Sequence, residues 1–142
     1  MRVRLTSDEA RRRFGQSRTA ALAMADRDGR PHVVVVTFAA VGDVVVTAVD
    51  QKPKTTSRLH RLRVVTENPQ VSLLADEYDD RDWTRLWWAR ADGQARVLTR
   101  PEDRAEPLEW LRAKYPQYAA EPPAGPVIRV DVDRWSGWSY SG

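Results

Sequence analysis

A chain of 142 residues can bury one core without staples, and the absence of cysteine excludes disulfides, thiol nucleophiles and cysteine-held metals. Its content of 42% hydrophobic and 30% charged residues is ordinary for a globular domain, and no apolar run nears the ~20 residues that span a bilayer. A net charge of +3, with 23 basic residues spread among 20 acids, argues against a nucleic-acid module; with no apolar stretch and cleavage site after Met1, a soluble cytoplasmic domain over residues 1–142 is expected.

Thr6-Ser7-Asp8-Glu9 has the form of a capping box and predicts a helix to about Phe14, stopping at Gly15; Arg11-Arg12-Arg13 is read as its solvated face. Residues 19–25 predict a small-residue strand, followed by a turn at Asp26-Arg27-Asp28-Gly29. The stretches 32–38 and 44–49, joined at Val41-Gly42-Asp43, predict two more strands, apolar on both faces. Three strands joined by tight turns suggest an antiparallel meander, with one face in a barrel interior and the other against a helix or a partner subunit.

Leu59, Leu62 and Val65 give residues 55–66 a helical period that Asn68-Pro69 ends. A strand at 71–75 follows, then a charged loop at 79–82 and a strand from near Trp83 through Arg90. Asp92-Gly93 is compatible with a hairpin turn or with a glycine kink inside one long strand ending near Thr99. Pro101 opens a helix to about Tyr115, which Pro107 should kink or split, and the alternation at 127–132 predicts a last strand.

Residues that carry chemistry are sparse. His32 and His60 lie on different elements, which disfavours a histidine triad or metal site, and no glycine-rich phosphate loop occurs. The acids at 76–80 form an ordinary solvated loop, so no metal site is expected. Any hard chemistry therefore falls to a cofactor. One segment stands apart: of the three lysines among the 23 basic residues, Lys52 and Lys54 sit together in Gln51-Lys52-Pro53-Lys54-Thr55-Thr56-Ser57-Arg58. That run leads from a buried strand into a helix N-terminus, so it is either a plain polar loop or an anion site. Six tryptophans are a second anomaly. At strand spacing Trp87 and Trp88 point to opposite faces, so one can fill the core while the other covers a ligand, a subunit or a neighbouring side chain.

Several stretches resemble the flavin and deazaflavin split β-barrel superfamily, which includes pyridoxamine-phosphate-oxidase-like proteins, and more narrowly its actinobacterial F420-dependent group. They are Val49-Asp50-Gln51-Lys52-Pro53-Lys54, Leu59-His60-Arg61-Leu62, residues 67–74, Lys114-Tyr115-Pro116-Gln117-Tyr118 and Arg134-Trp135-Ser136-Gly137-Trp138. The most particular is the tryptophan-rich run from Tyr78 to Arg90. The resemblance implies an α+β split antiparallel β-barrel with flanking helices, acting as a homodimer with cofactor sites at the interface. It places the cofactor phosphate at Lys52, Pro53, Lys54 and Thr55, with Arg58 and Arg61 nearby. The ring would lie near Val34, Val36, Thr37, Thr47 and Ala48, with Trp88 and Arg90, or Trp135 and Trp138, reaching it from the other subunit.

The expected function is a coenzyme F420-binding oxidoreductase that transfers hydride between reduced deazaflavin and an unidentified small organic substrate. The alternatives are an FMN-dependent oxidase of the same fold and a non-catalytic F420 carrier. No residue is selected as the proton donor.

Overall fold

The computed structural model describes residues 3–49 and 56–141, with side chains from residue 60 onward in the second segment. Helix α1 (Ser7–Gln16) starts where the sequence places it: the Thr6 hydroxyl accepts from the Glu9 N–H at 3.2 Å. The capping box is one-sided, because the Glu9 carboxylate turns to Arg12 and Arg13 instead. Gly15 does not end the helix. Its φ is not positive, so it continues the helical backbone for one more residue. Ala10 and Phe14 are fully buried, and Phe14 plugs the core against Phe38 and Trp135, with ring centroids 4.7 and 5.4 Å apart.

Strands β1 (Val3–Arg4), β2 (Ala20–Ala25), β3 (Pro31–Val36), β4 (Ala39–Val41), β5 (Val44–Ala48), β6 (Gln70–Glu77), β7 (Trp87–Leu98) and β8 (Val127–Ser139) form one antiparallel sheet. The expected three-strand meander is corrected. β2 pairs with β3 and β4 pairs with β5, but β3 and β4 lie at opposite ends of the order β3-β2-β6-β7-β8-β5-β4. The two ends are nonetheless joined through just Thr37 and Phe38. A flat sheet of that order would hold its outer strands ~29 Å apart, whereas the link can span only ~10 Å. The sheet must therefore curl until its edges meet at the bend, which makes it a split barrel.

The Asp92-Gly93 ambiguity resolves to the glycine kink. β7 runs unbroken and shifts register against β8 at this point, and a Cβ on Gly93 would stand 2.2 Å from the Asp131 carbonyl oxygen. Trp83–Arg85 is a 3₁₀ turn capped by Asp82 rather than the start of the strand. β8 extends well past residue 132, and its far end receives β1.

Helices α2 (Thr56–Glu67), α3 (Pro101–Lys114) and α4 (Pro116–Ala120) flank the sheet. Pro107 is buried and does not split α3. The main core fills the barrel, with Leu22, Leu73, Val45 and Val65 at its centre. A second cluster seals the other side of β5, where Val46, Ala48 and Val127 meet Leu111 of α3. β5 is thus covered on both faces, as its sequence demands.

Candidate functional site

β3 shares the double-sided apolarity of β5 but not its cover. Val34 and Val36 turn inward, whereas Val33 and Val35 are 64% and 75% exposed. Register carries this bare face across the sheet: Val35 neighbours Ala21, which neighbours Leu74, itself 42% exposed. Leu74 neighbours Arg90, and Arg90 faces Ser136. One row further, Trp88 of β7 and Trp138 of β8 sit directly opposite each other.

The polar groups at the edge of this patch are organised. The Arg90 guanidinium stacks over the Trp88 ring at 5.6 Å and donates through Nε to Asp92 at 3.2 Å. The other Asp92 oxygen accepts from the Ser72 hydroxyl at 2.5 Å. Trp138 meets Tyr140 edge to face at 6.4 Å. Ser136 Oγ is buried and has no hydrogen-bond partner among the described residues. A bare apolar patch, a tryptophan pair, a charged guanidinium and an orphaned hydroxyl together fit a surface that is completed by something else.

Among the expected site residues, Lys52, Pro53, Lys54 and Thr55 lie outside the described residues, as does the side chain of Arg58 on α2. Arg61 is half-buried on α2. Val34 is half-buried, and Val36 belongs to the barrel core. Thr37, Thr47 and Ala48 gather at the bend between β3 and β4. There Thr47 Oγ1 donates to the Thr37 carbonyl at 2.7 Å, Thr37 Oγ1 bonds Tyr118 OH at 2.8 Å, and Ala48 lies in the cluster under α3. These side chains are engaged or covered within their own chain. Trp88, Arg90 and Trp138 stand together on the open face instead. Among the described residues, the expected ones thus fall mainly into a group at the bend and a group on the open face.

The bend is held by a polar knot. Tyr115 OH accepts from the Phe38 N–H at 3.1 Å, and it lies 2.7 and 3.0 Å from the carbonyls of Arg18 and Phe38. Burial pushes its phenol above the usual range. Lys114 Nζ donates to the Ser17 carbonyl at 2.6 Å and sits 3.7 Å over the Phe38 ring. Burial first, and then the Arg18 charge, pull the Lys114 ammonium down to about 8.

His32 and His60, assigned to separate elements, are in contact with ring centroids 4.6 Å apart. No sequence signal pairs α2 with β3, so this contact was not readable.

A curled antiparallel sheet closed at a two-residue bend, with flanking helices and one bare face, defines the α+β split-barrel class. Residues 6–139 match the family described as pyridoxamine 5'-phosphate oxidase, and the chain belongs to that family. No curated protein matches the sequence. Solved structures share the fold across nearly the whole chain. A FAD-binding protein from Mesorhizobium loti superposes with a TM-score of 0.75 at 17% identity, covering 97% of each chain. The FAD binding protein from Mycobacterium smegmatis gives 0.65 at 18%, covering 95% of this chain and 97% of its own. The heme storage protein HutZ from Vibrio cholerae gives 0.67 at 17%, covering 89% and 87%.

Proposed function

We propose that this chain is a cytoplasmic F420-binding oxidoreductase that works as a homodimer, with the cofactor held between the two copies. The observation that carries the reading is the bare face of Val33, Val35 and Leu74 beside Trp88, Trp138 and Arg90. A second copy is the occupant that fits it. Arg90 and Asp92 lie side by side at its edge, so a twofold axis lets each meet its opposite on the partner. Arg90 and the tryptophans of one copy would then approach residues 52–55 and the β3–β4 bend of the other.

The family and the FAD-binding relatives support a flavin-type cofactor. Reduced deazaflavin, when bound, supplies a hydride from C5 of its ring. The protein's part is to hold the phosphate at Lys52, Lys54, Arg58 and Arg61, flank the ring with Trp88 and Trp138, and exclude water. F420 is preferred over FMN because four cations exceed what one phosphate needs, and the deazaflavin tail adds a phosphodiester and glutamate carboxylates. FMN remains the second reading, on the strength of the family itself. Turnover separates an enzyme from a carrier that binds the cofactor and transforms nothing.

The deciding experiment is a fluorescence titration of the purified protein with F420, FMN and FAD, run beside a hemin titration. Tightest binding of F420, weakening as salt rises, is expected. Tighter FMN or FAD binding overturns the cofactor assignment, and exclusive hemin binding overturns the oxidoreductase.

A further inference from the structure

The polar cluster where α2 leans on the β2–β3 hairpin takes no part in the site above. His32 pairs with Met24 in the sheet and shares its inward side, where it meets His60 of α2. Two contacts fix the protons. Arg63 Nη2 lies 2.6 Å from His60 Nδ1, and a guanidinium only donates, so that nitrogen accepts and the His60 proton sits on Nε2. His60 Nε2 lies 3.4 Å from His32 Nδ1, which must accept in turn. The His32 proton is then on Nε2, 3.7 Å from Asp26 Oδ2. The Arg30 N–H, and after it that of Asp28, hold the Asp26 carboxyl below the usual range. Arg63, His60 and His32 thus form one directed chain, and it ends at a buried His32 Nε2 that lies beyond hydrogen-bond distance of Asp26.

We infer that His32 and His60 are a pH-sensitive latch that fastens the first half of α2 to β3 and opens on acidification. A proton added to His60 sets an N–H against the Arg63 guanidinium. One added to His32 sets an N–H against the proton already on His60 Nε2. Either way two donors face each other, and the exposed Arg63 bond or the part-buried contact between the rings is lost.

The surrounding charges do not remove this conflict. On α2 they are Arg61 and Glu67, and Glu67 is engaged with Arg27 at 3.8 Å and Arg63 at 3.9 Å. On the turn they are Asp26, Arg27, Asp28 and Arg30, of which only Asp26 reaches His32. The strands beneath α2 turn Leu22, Met24, Ala91 and Ala95 inward. The Arg63 contact also argues against a metal on the pair, because metal at His60 Nε2 would leave an N–H facing Arg63. α2 follows directly on residues 52–55, so an open latch would also weaken the phosphate binding proposed for them, a consequence that rests on the function proposed above.

The test is amide hydrogen exchange of the ligand-free protein at about pH 7.5 and about pH 5.5, corrected for intrinsic rates, with His60→Gln as the control. A glutamine can accept from Arg63 and either donate to or accept from His32, so it keeps the contacts without the conflict. Wild type should lose about tenfold protection over residues 60–67 at the lower pH, while α1 and the His60→Gln variant do not. Unchanged wild-type protection, or the same loss in His60→Gln, overturns the latch. Imidazole nitrogen shifts of the wild type give an answer even if the variant fails to fold: a proton on Nδ1 of either ring at neutral pH refutes it. F420 affinity measured in parallel should fall about tenfold more in wild type than in the variant. F420 binding at neither pH, with the exchange result intact, sinks the proposed function and leaves the latch standing.

Discussion

Lys114 sets two effects against each other at one nitrogen. Burial favours the neutral amine, while the Phe38 ring and the Ser17 carbonyl favour the ammonium. With a folded pKa of about 8 against 10.5 for the free side chain, the unfolded chain holds more protons between those values, and stability rises with pH across that window. Denaturation midpoints measured from about pH 8 to about pH 9, below the range of phenol ionisation, should climb for the wild type and stay level for Lys114→Met. A flat wild-type profile would mean that the ring and carbonyl offset the burial. Gly93 is decided by backbone rather than charge. With Asp131 O 2.2 Å from a would-be Cβ, Gly93→Ala must spread β7 from β8, and a loss on the order of 3 kcal/mol is expected in urea unfolding. At this scale the sequence was legible wherever a residue type has one use. Trp87 and Trp88 do point to opposite sides, Trp87 packing on the core and Trp88 lying on the open face. The run Val33-Val34-Val35-Val36 was not legible, because four valines contain no alternation to say which pair faces outward. The expected ring contacts named Val34 and Val36, and the exposed pair is Val33 and Val35.

Among elements, the segment between β5 and α2 separates the functional reading from a plain loop. If Lys52 and Lys54 hold a phosphate, Lys52→Ala and Lys54→Ala should each weaken cofactor binding by about ten- to a hundredfold with little change in melting temperature. Wild-type affinity in both variants would move the phosphate site elsewhere. Most helices and strands were readable from period and caps. The short elements were not: α4 spans five residues and β1 two, too few for any period to register. The meander failed for another reason. Tight turns report which strands are consecutive, but the neighbour of β2 across the sheet is β6, some 50 residues later, and no local signal carries that pairing.

For the whole molecule, the bare face makes the oligomeric state a direct readout. Light scattering should give twice the 16.2 kDa chain mass at micromolar concentration. Val35→Asp, at a position 75% exposed and so harmless to the fold of one chain, should yield a folded monomer with weakened cofactor binding. A wild-type monomer refutes the dimer, and a Val35→Asp variant that remains dimeric places the interface elsewhere.

The position of β8 sets a schedule for synthesis. Residues 127–139 supply the strand that stands between β7 and β5 and that also receives β1. Until they are made, β5 has β4 on one side and an open edge on the other. At ribosomal rates the chain between β5 and β8 takes on the order of ten seconds to produce. For that interval the nascent protein holds an unpaired valine-rich edge at β5, joined by a second, tryptophan-bearing edge once β7 is made, and the barrel can close only when its last strand arrives.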